Sequence, residues 1–355
     1  MPYHPAMLVK VMLYGYATGV FSSRQIERKL KEDIAFRLLG AGNFPTYRTI
    51  ARFRKENLAA FSGLFSQVVA IAQESGLVKL GMVAIDGTKI HANASKHKTM
   101  SYGRMKEEES RLRAEIKALV DKAEAIDKAE ADEEDVSIPE ELSRRESRLK
   151  AIKAAKERLE NRVAAEKLTE KSQENFTDPD SRIMKTSGGF EQCYNAQIAV
   201  DKETQIIVVA EITQACNDKQ QLIPVTQAIE VESGQLPEEV TADSGYSSEE
   251  NCKNLEDLEI RGYIALGRDN KKASEINQEH EATRRMARRL NGKRGKKKYA
   301  QRKGIVEPVF GWAKAVLGFR QFLLRGKVAV TAEWRLVCAA LNLRRLGARL
   351  VWRAL

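Results

Sequence analysis

Two aspartates and one glutamate stand where carboxylates could be gathered. Asp86 closes the apolar run Val83-Ala84-Ile85 and precedes Gly87; Asp243 closes Val240-Thr241-Ala242 and precedes Ser244-Gly245-Tyr246. Val83 and Ile85 alternate around small Ala84, which predicts a strand packed on both faces, and Gly87 predicts that this strand breaks just past the acid. Two such strands can bring two carboxylates to one point. Glu307 lies in a run where Val306, Phe310 and Leu317 recur at helical spacing. Asp, Asp and Glu supply hard oxygen ligands of the kind that hold Mg²⁺ or Mn²⁺.

The elements that must position these acids follow in chain order. From Pro5 to about Gly76 the apolar spacing is helical, and the stretch 7–20, interrupted by Lys10, Tyr14, Gly15 and Thr18, predicts a buried helix rather than a signal peptide or membrane span. Ser22 and Ser23 are placed to cap a helix running through Leu39, and Thr46 to cap the next one. On that second helix Arg48, Arg52 and Lys55 share one face while Ile50, Phe53 and Leu58 supply apolar contacts, a pattern that suits a small DNA-binding domain.

A first catalytic strand is expected over about 79–92, with His91 reading as structural rather than as a ligand. Between Met105 and Lys171 the composition turns to Glu, Lys, Arg and Ala. There Leu112, Ile116, Leu119, Ala123 and Ile126, then Leu142, Leu149, Ile152, Leu159 and Val163, predict an antiparallel helical hairpin, read as a coiled-coil spacer. Strand signals return at 194–200 and 206–212 as a hairpin, followed by a helix from Asn217-Asp218 to about Glu232 and strands at 240–242 and 263–266. Asp178 and Asp180 are the main rivals for a metal role, but no strand fixes them. This order is α/β with a mixed sheet.

A chain of 355 residues with 43% hydrophobic content can build two or three domains around a sizeable core. Its net charge of +11 favours a polyanionic partner, of which nucleic acid is the commonest. Four dispersed cysteines and four histidines argue against a zinc site or disulfide framework and fit a reducing cytoplasm. Between Arg284 and Lys303 one sign of charge is so dense that the segment would repel itself without phosphates nearby, which predicts DNA contact through Arg288, Arg289, Lys296 and Lys297.

Asp86 in IDGTKIHA, Asp243 in TADSGY and Glu307 in RKGIVEPVFGWAK resemble, in that order, the catalytic acids of the bacterial insertion-sequence DDE transposases. The similarity spans nearly the whole chain. It implies an RNase-H-like mixed sheet flanked by helices, over 78–104 and 172–355. It also implies an all-α DNA-binding domain over 1–77 and the helical hairpin as an insertion over 105–171. Tyr299, Arg302 and Lys314 match the family's other polar positions around the third acid, with Arg302 one residue farther from Glu307 than is usual. Lys314 shares a helical face with Glu307 and could reach a phosphate. Family members usually carry further helical sequence before the stretch matching Tyr3-His4-Pro5, so the resemblance implies either a shortened N-terminal domain or a misassigned start.

The resemblance further implies two Mg²⁺ ions, for which Mn²⁺ can stand in, held by Asp86, Asp243 and Glu307. The activity implied is cleavage of double-stranded DNA at the element's terminal inverted repeats and transfer of the freed 3′-OH into target DNA, by a homodimer in a synaptic complex, in the cytoplasm on nucleoid DNA, with no membrane partner. A nuclease that cuts without joining would use the same carboxylates, and a defunct DNA-binding copy would keep only the binding surfaces.

Overall fold

A computed structural model of the chain describes residues 3–128, 137–267 and 272–354. The chain forms two compact units, Met1–Asn93 with Met184–Leu355, and Ala94–Ile183.

The first unit opens with five helices: α1 (Pro5–Ala17), α2 (Ser23–Glu32), α3 (Ile34–Leu39), α4 (Tyr47–Glu56) and α5 (Leu58–Glu74). Met7, Leu8, Val11, Met12 and Tyr16 bury one side of α1, as expected for an interior helix. The single helix expected through Leu39 is two. Asp33 interrupts it, because its side chain accepts hydrogen bonds from the Ala35 and Phe36 N–H groups and starts α3, whereas Ser22 makes no side-chain cap on α2. Thr46 caps α4 through the Thr49 N–H, as its position predicts.

Strand β1 (Val83–His91) follows. It begins four residues later than the apolar pattern suggests and does not break at Gly87. The strand runs on to His91, paired with its antiparallel neighbour at every residue, Gly87 against Gln197. Gly87 is there for space. A Cβ at this position would lie 2.2 Å from Gln197 Nε2 and 2.8 Å from Asp218 Oδ1.

The second unit holds β2 (Thr99–Ser101), α6 (Tyr102–Lys128), α7 (Ser137–Arg162) and β3 (Gln173–Asn175), with β2 and β3 antiparallel. Tyr102 reaches Glu160, Glu108 reaches Arg148 and Glu115 reaches Arg145, so α6 and α7 run antiparallel as a hairpin. Met105, Leu112, Ile152 and Ala155 form a buried apolar cluster near the β2–β3 end. Ile126 lies among side chains outside the described residues. Asp178 and Asp180 belong to this unit as well.

The chain then forms β4 (Arg182–Thr186), β5 (Gly189–Asp201), β6 (Ile207–Thr213), α8 (Leu222–Ser233), β7 (Glu239–Ala242), α9 (Glu249–Asp257), β8 (Arg261–Ile264), α10 (Glu281–Asn291), α11 (Lys293–Ala300), α12 (Arg302–Gly311) and α13 (Lys327–Ala354). The sheet order is β4-β5-β1-β7-β8, with β6 on β5. Strand β5 is antiparallel to β1 and to β6, whereas β7 and β8 run parallel to β1, so this is a mixed sheet flanked by helices. The β5–β6 hairpin turns where expected, with Asp201 Oδ1 accepting from the Glu203 and Thr204 N–H groups. Residues 194, 196 and 198–200 of β5 are fully buried, and each large apolar side chain so removed from water contributes about 1.5–3 kcal/mol. Helix α8 starts at Leu222 instead of Asn217, because the side chain of Asp218 is engaged across the sheet.

Candidate active site

Val83 pairs with Val240 and Ala84 with Thr241 in the parallel β1–β7 ladder. Asp86 and Asp243 each lie two residues further on, so the ladder brings them level on neighbouring strands. Asp86 stands mid-strand with Oδ1 accepting from the Gly87 N–H at 2.8 Å. Asp243 stands past the end of β7 and caps a 3-10 turn (Ser244–Tyr246), its Oδ1 accepting from the Gly245 N–H at 2.8 Å.

Charge is concentrated here. Burial pushes the Asp86 carboxyl up to about 6; the Arg302 guanidinium holds it back and the Asp243 charge adds to the rise. Arg302 Nη1 donates to Asp86 Oδ2 at 2.9 Å, and the guanidinium also lies 6.0 Å from the Tyr299 ring centroid. Lys314 sits in a π-helical turn (Trp312–Val316) after α12, and its Nζ donates to Thr88 Oγ1 at 2.6 Å and to the Lys89 carbonyl at 2.8 Å. Burial pulls the Lys314 pKa down, as do the Arg320 and Lys89 charges. Arg302 therefore rests on Asp86 itself, and Lys314 on β1 two to three residues further along the strand. Glu307 lies between them in sequence, on the exposed side of α12.

A hard divalent cation fits this donor set. Two carboxylates lie level, as such a cation needs, and a metal would share Asp86 with the Arg302 guanidinium already paired with it. Among the described residues, no three His, Cys, Asp or Glu side chains lie close enough together to hold an ion. Because a metal must displace the Asp86 proton, Mn²⁺ affinity measured by calorimetry is expected to be nearly constant from pH 7 to 8. It should then fall by about fivefold between pH 6 and pH 5.

A model of the Transposase DDE domain matches residues 150–343, more than half of the chain. The chain belongs to the DDE transposase family. A second model, Transposase domain (DUF772), matches residues 1–56, which cover α1 to α4. No match was found among curated proteins or among solved structures. The protein is thus a transposase, an enzyme that acts on DNA. Asp243 and Glu307 fall inside the DDE match, and Asp86 lies outside it.

The expected basic residues divide on inspection. In the transposase Arg48, Arg52 and Lys55 are exposed on α4, while Arg54, unremarked in the sequence, is buried. The run from Arg284 to Lys303 folds into α10, α11 and the first turn of α12 and finds protein partners. Arg285 pairs with Glu256, Lys298 with Glu239, and Arg289 donates to the Gly262 carbonyl at 3.0 Å. Its self-repulsion is thus relieved in part by acids brought in from β7 and α9, which no local reading of charge could supply. Arg288, Lys296 and Lys297 remain exposed and make no ion pair among the described residues. His91 is exposed, and its backbone bridges to Gln321.

Four residues around the acids are missed by the sequence reading: Asn195, Gln197 and Asp218, which hydrogen-bond to one another, and Lys89, 3.5 Å from Asp218. The two polar side chains at 195 and 197, inside the buried stretch 193–200 of β5, were the available clue. No helix among the described residues is long and apolar enough to cross a membrane.

Proposed function

We propose that the transposase cuts double-stranded DNA at the terminal inverted repeats of its element and joins the freed 3′-OH to a target strand. The observation that supports this most is the level placement of Asp86 and Asp243 on the parallel β1–β7 pair, with Glu307 on the helix that Arg302 ties to Asp86. Asp86, Asp243 and Glu307 would hold two Mg²⁺ ions. When bound, these supply Lewis-acid activation of water or the 3′-OH and stabilisation of the leaving oxygen.

The chain's own groups do the rest. Lys314, anchored on β1 two residues from Asp86, places a cation for a phosphate beside the scissile bond, and Tyr299 and Arg302 line the same approach. Arg48, Arg52 and Lys55 on α4, together with Arg288, Lys296 and Lys297, contact the backbone of the end DNA, with Arg289 at their edge. The strand order β4-β5-β1-β7-β8, with β6 also on β5, supports the RNase-H-like reading of the catalytic domain, with the helical hairpin as its insertion and the N-terminal helices as the DNA-binding domain. A homodimer would hold two ends together on nucleoid DNA in the cytoplasm.

Incubation of the purified protein with Mg²⁺ and labelled DNA carrying the flanking ends of its own gene tests this. Cleavage at the ends followed by joining, absent from Asp243→Ala, is the expected result. Cleavage with no joining would reassign the protein as a nuclease, and binding with neither would leave only the DNA-binding reading.

A further inference from the structure

We infer that Asp218 is a positioning residue for the catalytic aspartates, setting the distance between Asp86 and Asp243 that a divalent cation needs. The inference rests on the reading of those two residues as metal ligands.

Asp218 sits in the loop between β6 and α8, and its carboxylate is drawn under β1. Oδ1 accepts from Asn195 Nδ2 at 2.6 Å and from Gln197 Nε2 at 2.7 Å, and Lys89 Nζ stands 3.5 Å away. The register pairs Lys89 with Asn195 and Gly87 with Gln197, so all four residues share one face of the β1–β5 ladder. Asp86, one residue off this set, belongs to the opposite face. Asp218 therefore supports β1 from behind, and the absent side chain at Gly87 is what lets it approach.

A second arm reaches Asp243. Gln197 Oε1 accepts from the Tyr246 hydroxyl, and Tyr246 is fully buried in the 3-10 turn that Asp243 caps. A Cβ on Gly245 would lie 3.0 Å from Asp243 Oδ1 and 3.8 Å from Asp218 Oδ2, which places the two carboxylates around one glycine. Asn251 Nδ2 closes the brace, donating to the carbonyls of Lys219 at 2.6 Å and Tyr246 at 2.7 Å. One carboxylate thus holds β1 beside Asp86 and, through Gln197 and Tyr246, the turn that carries Asp243. Only an acceptor at Oδ1 can receive both amide donors at once.

Mn²⁺ alone is the probe, titrated into full-length protein and followed by electron paramagnetic resonance and calorimetry. Asp218→Ala is expected to raise the Mn²⁺ dissociation constant roughly 10–100-fold, with metal-free binding to end DNA unchanged. Asp218→Asn, which keeps an acceptor oxygen, should recover affinity to within about threefold of the parent protein, a rescue that a general loss of stability would not give. Tyr246→Phe removes one hydroxyl at constant ring volume and should weaken Mn²⁺ binding in the same direction, so the test survives if Asp218→Ala does not fold. Parental Mn²⁺ affinity in folded Asp218→Ala, or in Tyr246→Phe, overturns the role of Asp218 while leaving the metal reading intact. Parental affinity in Asp243→Ala, or no binding by the parent protein, would instead overturn the metal reading and this inference with it.

Discussion

Asp86→Asn is expected to abolish cleavage of end DNA, with the rate falling by at least ~10³-fold. The substitution keeps the shape of the side chain and its Gly87 contact but removes the charge that Arg302 answers and a metal would use. Metal-supplied stabilisation of a phosphoryl-transfer transition state is worth several kcal/mol, and about 4 kcal/mol corresponds to three powers of ten in rate. Binding of the same DNA without metal should stay within a few-fold of the parent protein, since the exposed cations on α4 are untouched. This variant is the most informative of the three acids because Asp86 lies outside the matched DDE region and its role stands on strand register alone. A folded Asp86→Asn protein that still cuts within tenfold of the parent rate would remove Asp86 from the catalytic set.

The largest stability effect should come from Arg54→Met, far from the acids. Arg54 is 7% exposed on α4 and donates through Nη1 to the Tyr16 hydroxyl at 3.0 Å and the Phe21 carbonyl at 3.1 Å, and through Nη2 to Ser23 Oγ at 3.3 Å. Tyr16 in turn donates to Glu333 Oε1 at 3.1 Å, and Glu333 Oε2 accepts from the Leu323 and Leu324 N–H groups, both at 3.0 Å. Burial raises the Glu333 pKa, and the Arg54 charge opposes that rise.

Removing the cation leaves a buried carboxylate unpaired, a loss of about 3–5 kcal/mol, which for a chain of this size lowers Tm by roughly 5–15 °C. Without Arg54 the Glu333 pKa climbs further above its unfolded value, so the native state binds the extra proton and the variant loses stability as pH rises. Thermal melts of Arg54→Met should therefore show a smaller deficit at pH 5 than at pH 8, and Glu333→Gln in the same background should restore part of it. Arg48→Ala, on the exposed face of the same helix, should change stability by no more than about 0.5 kcal/mol. Equal melts for Arg54→Met and Arg48→Ala would show that the network contributes nothing.

The contrast between Arg54 and its neighbours on α4 shows where local reading stops. Helical periodicity separates Arg48, Arg52 and Lys55 from the apolar side of α4. It cannot tell that Arg54 is answered by a glutamate near the other end of the chain. Asp33 and Asp218 make the same point at element ends. Each has a carboxylate that could cap a helix, and only the surroundings decide. Asp33 turns to the adjacent N–H groups and splits a helix, whereas Asp218 turns to Asn195 and Gln197 and delays one. The basic run before Glu307 likewise reads as unpaired in sequence because its acids, Glu239 and Glu256, arrive from elements some 30–60 residues away.

By itself the sequence determined the α/β class, the hairpin of helices, most strands to within a few residues and the three candidate acids. These follow from periodicity and residue type, which act over a few neighbours. Tertiary structure decided that Asp86 stands inside a strand and level with Asp243, that Gly87 clears space instead of turning the chain, and that Arg302 rests on Asp86. It also decided that Asp218 supports both aspartates. Those outcomes depend on strand register and on contacts between residues from about twenty to more than two hundred positions apart, and hydrophobic patterning carries no record of which distant side chain will stand opposite.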